Sequence, residues 1–258
     1  MNSCSNSSKN IRISFQSSFY PKSLKDTFPK NWEQKDINFE KKISKKRNFN
    51  FPNSDFTIIN DGWINRINFE NFQNLSDVFP ENKFDNRSID FLNSFLERQS
   101  RKLCPIGVVP YAVIIKKNKD LIYEASKSWD FLISEKLKGK IIFPQSPRIF
   151  MSISKKINKK NSFKKLKDQV MLFDDQNSLN WLINSQASVA IVPYSLCMKF
   201  LRFDSRLSIV FPSTGVPLIW TFLLSKSNRN NEILINWIKS LESKTIVDKL
   251  ANQGWYLP

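Results

Sequence analysis

The stretch that decides the fold opens with Gly107-Val108-Val109-Pro110-Tyr111-Ala112-Val113-Ile114-Ile115-Lys116 and closes with Leu137-Lys138-Gly139-Lys140-Ile141-Ile142-Phe143-Pro144. The first half reads as an apolar strand entered through Val109-Pro110-Tyr111 and broken at Lys117 to Asp120. Ser128-Trp129-Asp130-Phe131-Leu132 then reads as a short helix, and Lys138-Gly139 as the turn into a second strand. Strand, helix, turn and strand in that order are the signature of an α/β domain.

Working outward, the same alternation covers the chain. Ile11 to Phe15 alternates as a strand, Gln16-Ser17-Ser18 is the loop at its C-terminal end, and an amphipathic helix follows Pro21 through Leu24 and Phe28. Residues 33 to 54 are polar and basic, a surface excursion. Phe56 to Ile59 is a buried strand ending in Asn60-Asp61-Gly62-Trp63, and Ser88 to Gln99 is a helix with Ser88 as its cap. Beyond Pro144, helices are predicted over Arg148 to Ile157, Phe163 to Lys167 and Ser178 to Asn184. Strands are predicted over Val170 to Phe173, Ser188 to Val192 and Leu207 to Phe211. The apolar run Val216 to Leu224 is followed by helices over Glu232 to Leu241 and Thr245 to Leu250.

Two apolar runs, 106 to 115 and 216 to 224, each flanked by strand-helix units, are what a two-lobed hinge protein requires. The chain leaves one lobe, builds the other and returns. The expected division is a tether over 1–10, lobe 1 from 11–112 with 218–243, and lobe 2 from 113–217 with 244–258. In such a fold a ligand sits where the C-terminal ends of strands meet, and the lobes close on it by hinge rotation.

Composition acts mainly by exclusion. The 258 residues contain no His, which removes the commonest general base, the Ser-His and Cys-His nucleophile pairs and every His-containing metal site. The five glycines are scattered, so neither a P-loop nor a dinucleotide fingerprint can be written. No catalytic residue, metal ligand or cofactor site is assigned. Lys and Arg number 40 against 23 Asp and Glu, a net charge of +17. The basic residues are mixed with Asn and Ser and not interleaved with aromatics, so no nucleic-acid partner is assigned. No run approaches the roughly 18 apolar residues of a spanning helix.

The order of motifs resembles extracellular solute-binding proteins of ABC importers, specifically the polyamine (spermidine/putrescine) branch. Besides residues 107 to 144, the resemblance is carried by Phe15 to Phe28, Asp55 to Ile64 and Ala187 to Ser195, by Phe211-Pro212-Ser213-Thr214-Gly215 with Trp220, and by Gln253-Gly254-Trp255-Tyr256-Leu257-Pro258. It implies a periplasmic-binding-protein-like α/β fold of two lobes joined by two crossing strands (type II). The implied protein is a monomer without catalysis that captures a small polar solute and presents it to a membrane permease.

The candidate ligand-binding residues are Gln16, Ser17, Ser18, Asn60, Asp61, Trp63, Arg148, Tyr194 and Trp220. Polyamine capture needs carboxylates for the ammoniums and aromatic walls for the methylenes. Trp220, Tyr194 and Trp63 resemble the aromatic half. The acidic half is reduced to Asp61: Gln145-Ser146-Pro147-Arg148 stands where the family carries a pair of acids, and Phe222 where a carboxylate would pair an amine. Each residue also has a plainer reading. Trp220 is core, Asp61-Gly62 a tight turn and Arg148 a helix start. Alternatives for the whole chain are a divergent domain whose ligand is lost or changed, and an enzyme on the related two-lobed transferase fold.

Cys4, followed by Ser5-Asn6-Ser7-Ser8-Lys9-Asn10, resembles the mature end of a bacterial lipoprotein. That reading places the domain in the periplasm or on the outer face of the cytoplasmic membrane, and requires an apolar leader that Met1-Asn2-Ser3 does not supply. Without one, Cys4 belongs to a tail. Cys104 and Cys197 lie in apolar contexts and read as buried free thiols, with a disulfide between them the alternative in an oxidising compartment.

Overall fold

Arg12 is exposed and Ile13, Ser14 and Phe15 are buried, so the first alternating run becomes strand β1, Arg12–Phe15. The structure is a computed structural model describing residues 11–16, 19–37, 54–80, 83–175, 177–201, 204–226 and 231–258. Helix α1, Lys22–Lys25, is one turn after Pro21 and ends before the expected Phe28. Strand β2, Glu33–Asp36, lies in the segment expected as a surface excursion and pairs in parallel with β1, Arg12 opposite Glu33. All four of its side chains are exposed, and the Arg12 guanidinium meets Glu33 across the pair at 2.8 Å.

Strand β3, Phe56–Asn60, is parallel to β1 and buried until Asn60, where a 3-10 turn over Asp61–Arg66 begins. Helix α2, Asn86–Asn93, is capped by Asp85 and not by Ser88. The Asp85 carboxylate accepts from the Ser88 N–H at 2.8 Å and its hydroxyl at 2.6 Å, so Ser88 is the donor in the cap. The expected single helix is interrupted after Asn93 and resumes as α3, Glu97–Ser100. The Ser94 hydroxyl takes the Phe91 carbonyl at 2.6 Å and Leu96 is extended, which closes one helix and starts the next. Strand β4, Cys104–Lys116, follows.

The chain divides into two compact units, residues 1–108 with 220–258 and residues 109–219, so the division falls within β4. Unit 2 continues from β4 through α4, Lys119–Lys127, and 3-10 turns over Trp129–Ile133 and Glu135–Leu137 to β5, Ile141–Phe143. Next come α5, Pro147–Lys156, α6, Ser162–Gln169, and β6, Val170–Phe173. The unit is completed by α7, Ser178–Asn184, β7, Val189–Pro193, α8, Tyr194–Leu201, and β8, Leu207–Val210.

Its strands run in the order β8-β4-β7-β5-β6, with β6 and β7 parallel to β5 and β4 antiparallel to β7 and β8. Both faces of this sheet are covered. Tyr111, Val113 and Ile115 join Trp129, Phe131, Ile149 and Leu166 on one side. Ala112 and Ile114 join Leu179, Leu182 and Cys197 on the other. Coverage on two faces is why these strands read as unbroken apolar runs.

Strand β9, Leu218–Ser225, returns the chain to unit 1, where it pairs antiparallel with β3, Asn60 opposite Thr221. Helices α9, Asn231–Leu241, and α10, Lys244–Ala251, follow. Unit 1 packs Phe15, Phe28, Trp32, Phe56 and Trp237 into one aromatic core, closed by a 3.1 Å hydrogen bond from Trp237 Nε1 to Thr27. Residues 244–258, expected in the second lobe, lie in unit 1. Val108 and Tyr256 exchange backbone hydrogen bonds of 2.8 and 3.0 Å, and Trp255 is buried with its indole directly over Gly107. A Cβ on Gly107 would stand 2.0 Å from that ring.

Two expected outcomes follow from this packing. Gly107→Ala should lower unfolding free energy in urea by at least about 1–3 kcal/mol, the range for overpacking, with a small loss for Gly62→Ala, where the added carbon meets open space. Cys104 and Cys197 are free and buried, and desolvation pushes both thiols up. Neither should react with a disulfide reagent in the native protein at pH 8, and both should react in denaturant; native labelling of either would contradict the burial.

Candidate functional site

The parallel strands β1 and β3 bring Gln16, just past one, and Asn60, at the end of the other, to the same edge of the unit 1 sheet. Antiparallel β9 starts at that edge with Trp220 and Thr221. Three polar side chains lie at that edge, those of Asn60, Asp61 and Gln16. The Asn60 side-chain oxygen accepts from the Tyr20 hydroxyl at 3.1 Å and from the Thr221 hydroxyl at 3.1 Å, which leaves its amide nitrogen as a donor. One residue further, the Asp61 carboxylate accepts from the Trp220 backbone N–H at 3.3 Å. Gln16 is buried, and its side-chain oxygen has no hydrogen-bond partner. A buried acceptor left open in this way is costly unless a donor arrives.

Tyr20 is buried, and its phenol is held protonated well above the ordinary tyrosine range, first by desolvation and then by the negative charge of Asp61. It therefore acts as a fixed donor to Asn60. Tyr20 and Thr221 were not among the residues singled out from sequence. The register of β3 on β9, which pairs Asn60 with Thr221, is what places the second of them, and no local pattern carries that register.

Trp63 is half-buried in the 3-10 turn that begins at Asp61, so Asp61-Gly62 opens a tight turn of helical form. Trp220 is 5% exposed and lies flat on Phe91, with ring centres 5.0 Å apart and planes 13° apart. Phe222 is fully buried against Phe91 and Phe95. Ser17, Ser18 and Cys4 lie outside the described residues.

Within unit 2, β5 and β7 are parallel, so Arg148 and Tyr194, which follow their C-terminal ends, share one edge of that sheet. Tyr194 begins α8, half-buried, and packs edge-on against Phe211 at 5.2 Å. Arg148 is exposed in the first turn of α5, and its guanidinium donates to the Leu218 carbonyl at 3.4 Å through either terminal nitrogen. Among the described residues no group of three or more His, Cys, Asp or Glu side chains is placed to hold a metal ion, and no helix is long and apolar enough to cross a membrane.

Comparison with solved structures gives the architecture a context. An ABC transporter protein from Clostridium perfringens is similar over 96% of this chain and 84% of its own, at 15% identity and a TM-score of 0.71. The spermidine/putrescine ABC transporter substrate-binding protein PotD from Streptococcus pneumoniae is similar over 95% and 81%, at 13% identity and a TM-score of 0.61. A periplasmic thiamin binding protein is similar over 96% and 82%, at 11% identity and a TM-score of 0.64. No protein-family model and no curated protein sequence matches the chain. The fold is the mixed α/β fold of the two-lobed periplasmic binding proteins.

The hydrogen bonds at Asn60 can be tested directly. Tyr20→Phe removes one donor and should cost about 0.5–1.5 kcal/mol of unfolding free energy by urea titration, with the far-UV spectrum unchanged. A loss near zero would mean that Asn60 finds water in its place.

Proposed function

We propose that the chain is a solute-binding receptor of an ABC importer. It captures a small polar solute carrying an amine and passes it to a membrane permease, without catalysing a reaction. The observation that carries this reading is the edge of the unit 1 sheet, which carries an open buried acceptor on Gln16, an amide donor on Asn60 and the carboxylate of Asp61 in a binding-protein fold. Asp61 is the anion for an ammonium, and the half-buried Trp63 supplies an aromatic surface beside it.

The polyamine assignment is the finer part of the proposal. It is supported by the resemblance in sequence and by the likeness to a protein described as spermidine/putrescine-binding. A polyamine requires compensation for each ammonium, however, and unit 1 offers one carboxylate in this cluster within a protein of net charge +17. The reading therefore favours a solute with a single amine, or a short diamine, over spermidine. Action at the outer face of the cytoplasmic membrane, tethering through Cys4 and a monomeric state belong to the same proposal.

A thermal-shift screen with putrescine, spermidine, amino acids, sugars and phosphate esters tests it. A receptor gains stability as RT ln(1 + [L]/Kd), about 2.7 kcal/mol at a hundredfold excess over Kd. An amine-bearing solute should raise the melting temperature saturably, and Asp61→Asn should weaken its binding about tenfold or more. No shift with any solute would sink the receptor reading. A shift that survives Asp61→Asn intact would remove Asp61 from the site.

A further inference from the structure

Unit 2 contains a hollow beside the segment Gln145-Ser146-Pro147, lined by none of the candidate residues named above. It opens where β5 ends at Pro144 and Pro147 starts α5, and its floor is Phe150, with Met151, Phe163 and Phe173 around it. Its volume is about 370 Å³, within the range of roughly 300–1,000 Å³ typical of small-molecule sites. Phe163 and Phe173 both pack on Phe150, with ring centres 5.0 and 5.9 Å away. Met151, Phe163 and Phe173 are nevertheless 50%, 52% and 44% exposed. α5 already buries Ile149, Phe150 and Ile153 in the unit 2 core, so Met151 lies off the stripe that folding requires. Large apolar side chains gathered on a concave surface are the usual mark of a binding site.

Charge decides what such a ligand carries. The one ionisable group in the lining is Lys167, on α6, exposed and without an ion-pair partner among the described residues. α5 begins at the hollow with Ser146 as its N-cap, no side-chain cap bond and no acid in its first turn. Of the two acids that follow β6, Asp175 is tied to the rim at Gln145 and Asp174 to the start of α7. Asp175 accepts from the Gln145 N–H at 3.0 Å, and Asp174 from the Asn177 N–H at 2.7 Å and Trp181 Nε1 at 3.2 Å. Gln145 is tied by its side-chain nitrogen to the Phe173 carbonyl at 3.3 Å, which fixes the loop and leaves its side-chain oxygen at the rim.

We infer that this hollow binds a small aromatic anion, its ring held by Phe163, Phe150 and Phe173 and its acid group facing Lys167 and the start of α5. The site lies wholly in unit 2, and it holds whether or not the chain serves a permease. A second copy of the chain fits less well, because the exposed apolar surface is confined to three side chains around a concavity, whereas a stable interface buries about 1,200–2,000 Å².

Fluorescence titration of the full chain with anilinonaphthalene sulfonate tests the inference. Saturable one-to-one binding is expected. Phe163→Ser, at an exposed position that should leave the fold and melting temperature near the wild type, is expected to weaken it roughly tenfold. Lys167→Glu should weaken the sulfonate by a similar factor and leave a neutral naphthalene probe unchanged. Unsaturable binding, or binding indifferent to both substitutions, would overturn the inference. So would a wild-type dimer, seen by light scattering, that Phe163→Ser converts to monomer.

Discussion

β4 is the strand on which each unit is built, and its constraint is that a thirteen-residue backbone with ten residues buried must find partners for its polar groups. Within unit 1, Val108 is paired with Tyr256. Within unit 2, the Tyr111 N–H reaches the Pro217 carbonyl at 2.9 Å, and residues 111–116 pair with β7 on one side and β8 on the other. Removing any of these partners would leave backbone groups of a largely buried strand without a hydrogen bond. Gly107 belongs to the same constraint: the residues that close unit 1 can cover β4 there only because no side chain separates Trp255 from the strand.

The candidate site inherits its geometry from that framework. A strand paired at Asn60–Thr221 fixes where the Asn60 amide points, and two hydroxyls hold it there. Asp61 follows immediately, and its carboxylate is anchored to the Trp220 backbone N–H. Its charge acts on Tyr20 in the direction that keeps the phenol protonated, which preserves the donor on which the Asn60 orientation depends. Hydrogen bonds already organised before a ligand arrives reduce the ordering that binding would otherwise require.

Much of the fold could be read from sequence because unit 2 buries its sheet on both sides. Val113-Ile114-Ile115 and Ile141-Ile142-Phe143 leave no other state for such runs in a chain of this polarity. β2 could not be read in that way. Glu33-Gln34-Lys35-Asp36 has no apolar member and is a strand only because β1 offers it an edge, where charged side chains also discourage further pairing. The cap at Asp85 was misplaced to Ser88 because both are good capping residues and only the direction of the hydrogen bond separates them. Asn60 and Asp61 were legible as a polar loop after a buried strand. Tyr20 and Thr221 were not, since their roles arise from register across 40 and 161 residues of chain.

Charge in this protein says more by its placement than by its sum. A net +17 suggests an anionic macromolecule as partner, yet the groups that meet at the edge of unit 1 include a carboxylate fixed by backbone. One anion held in place and partly shielded from water outweighs many solvated lysines for a small ligand, because exposed charges more than about 10 Å away are largely screened at ordinary salt. The same reasoning applies with the sign reversed at the hollow of unit 2. Lys167 is exposed, and what sets it apart from the other lysines there is the apolar lining beside it.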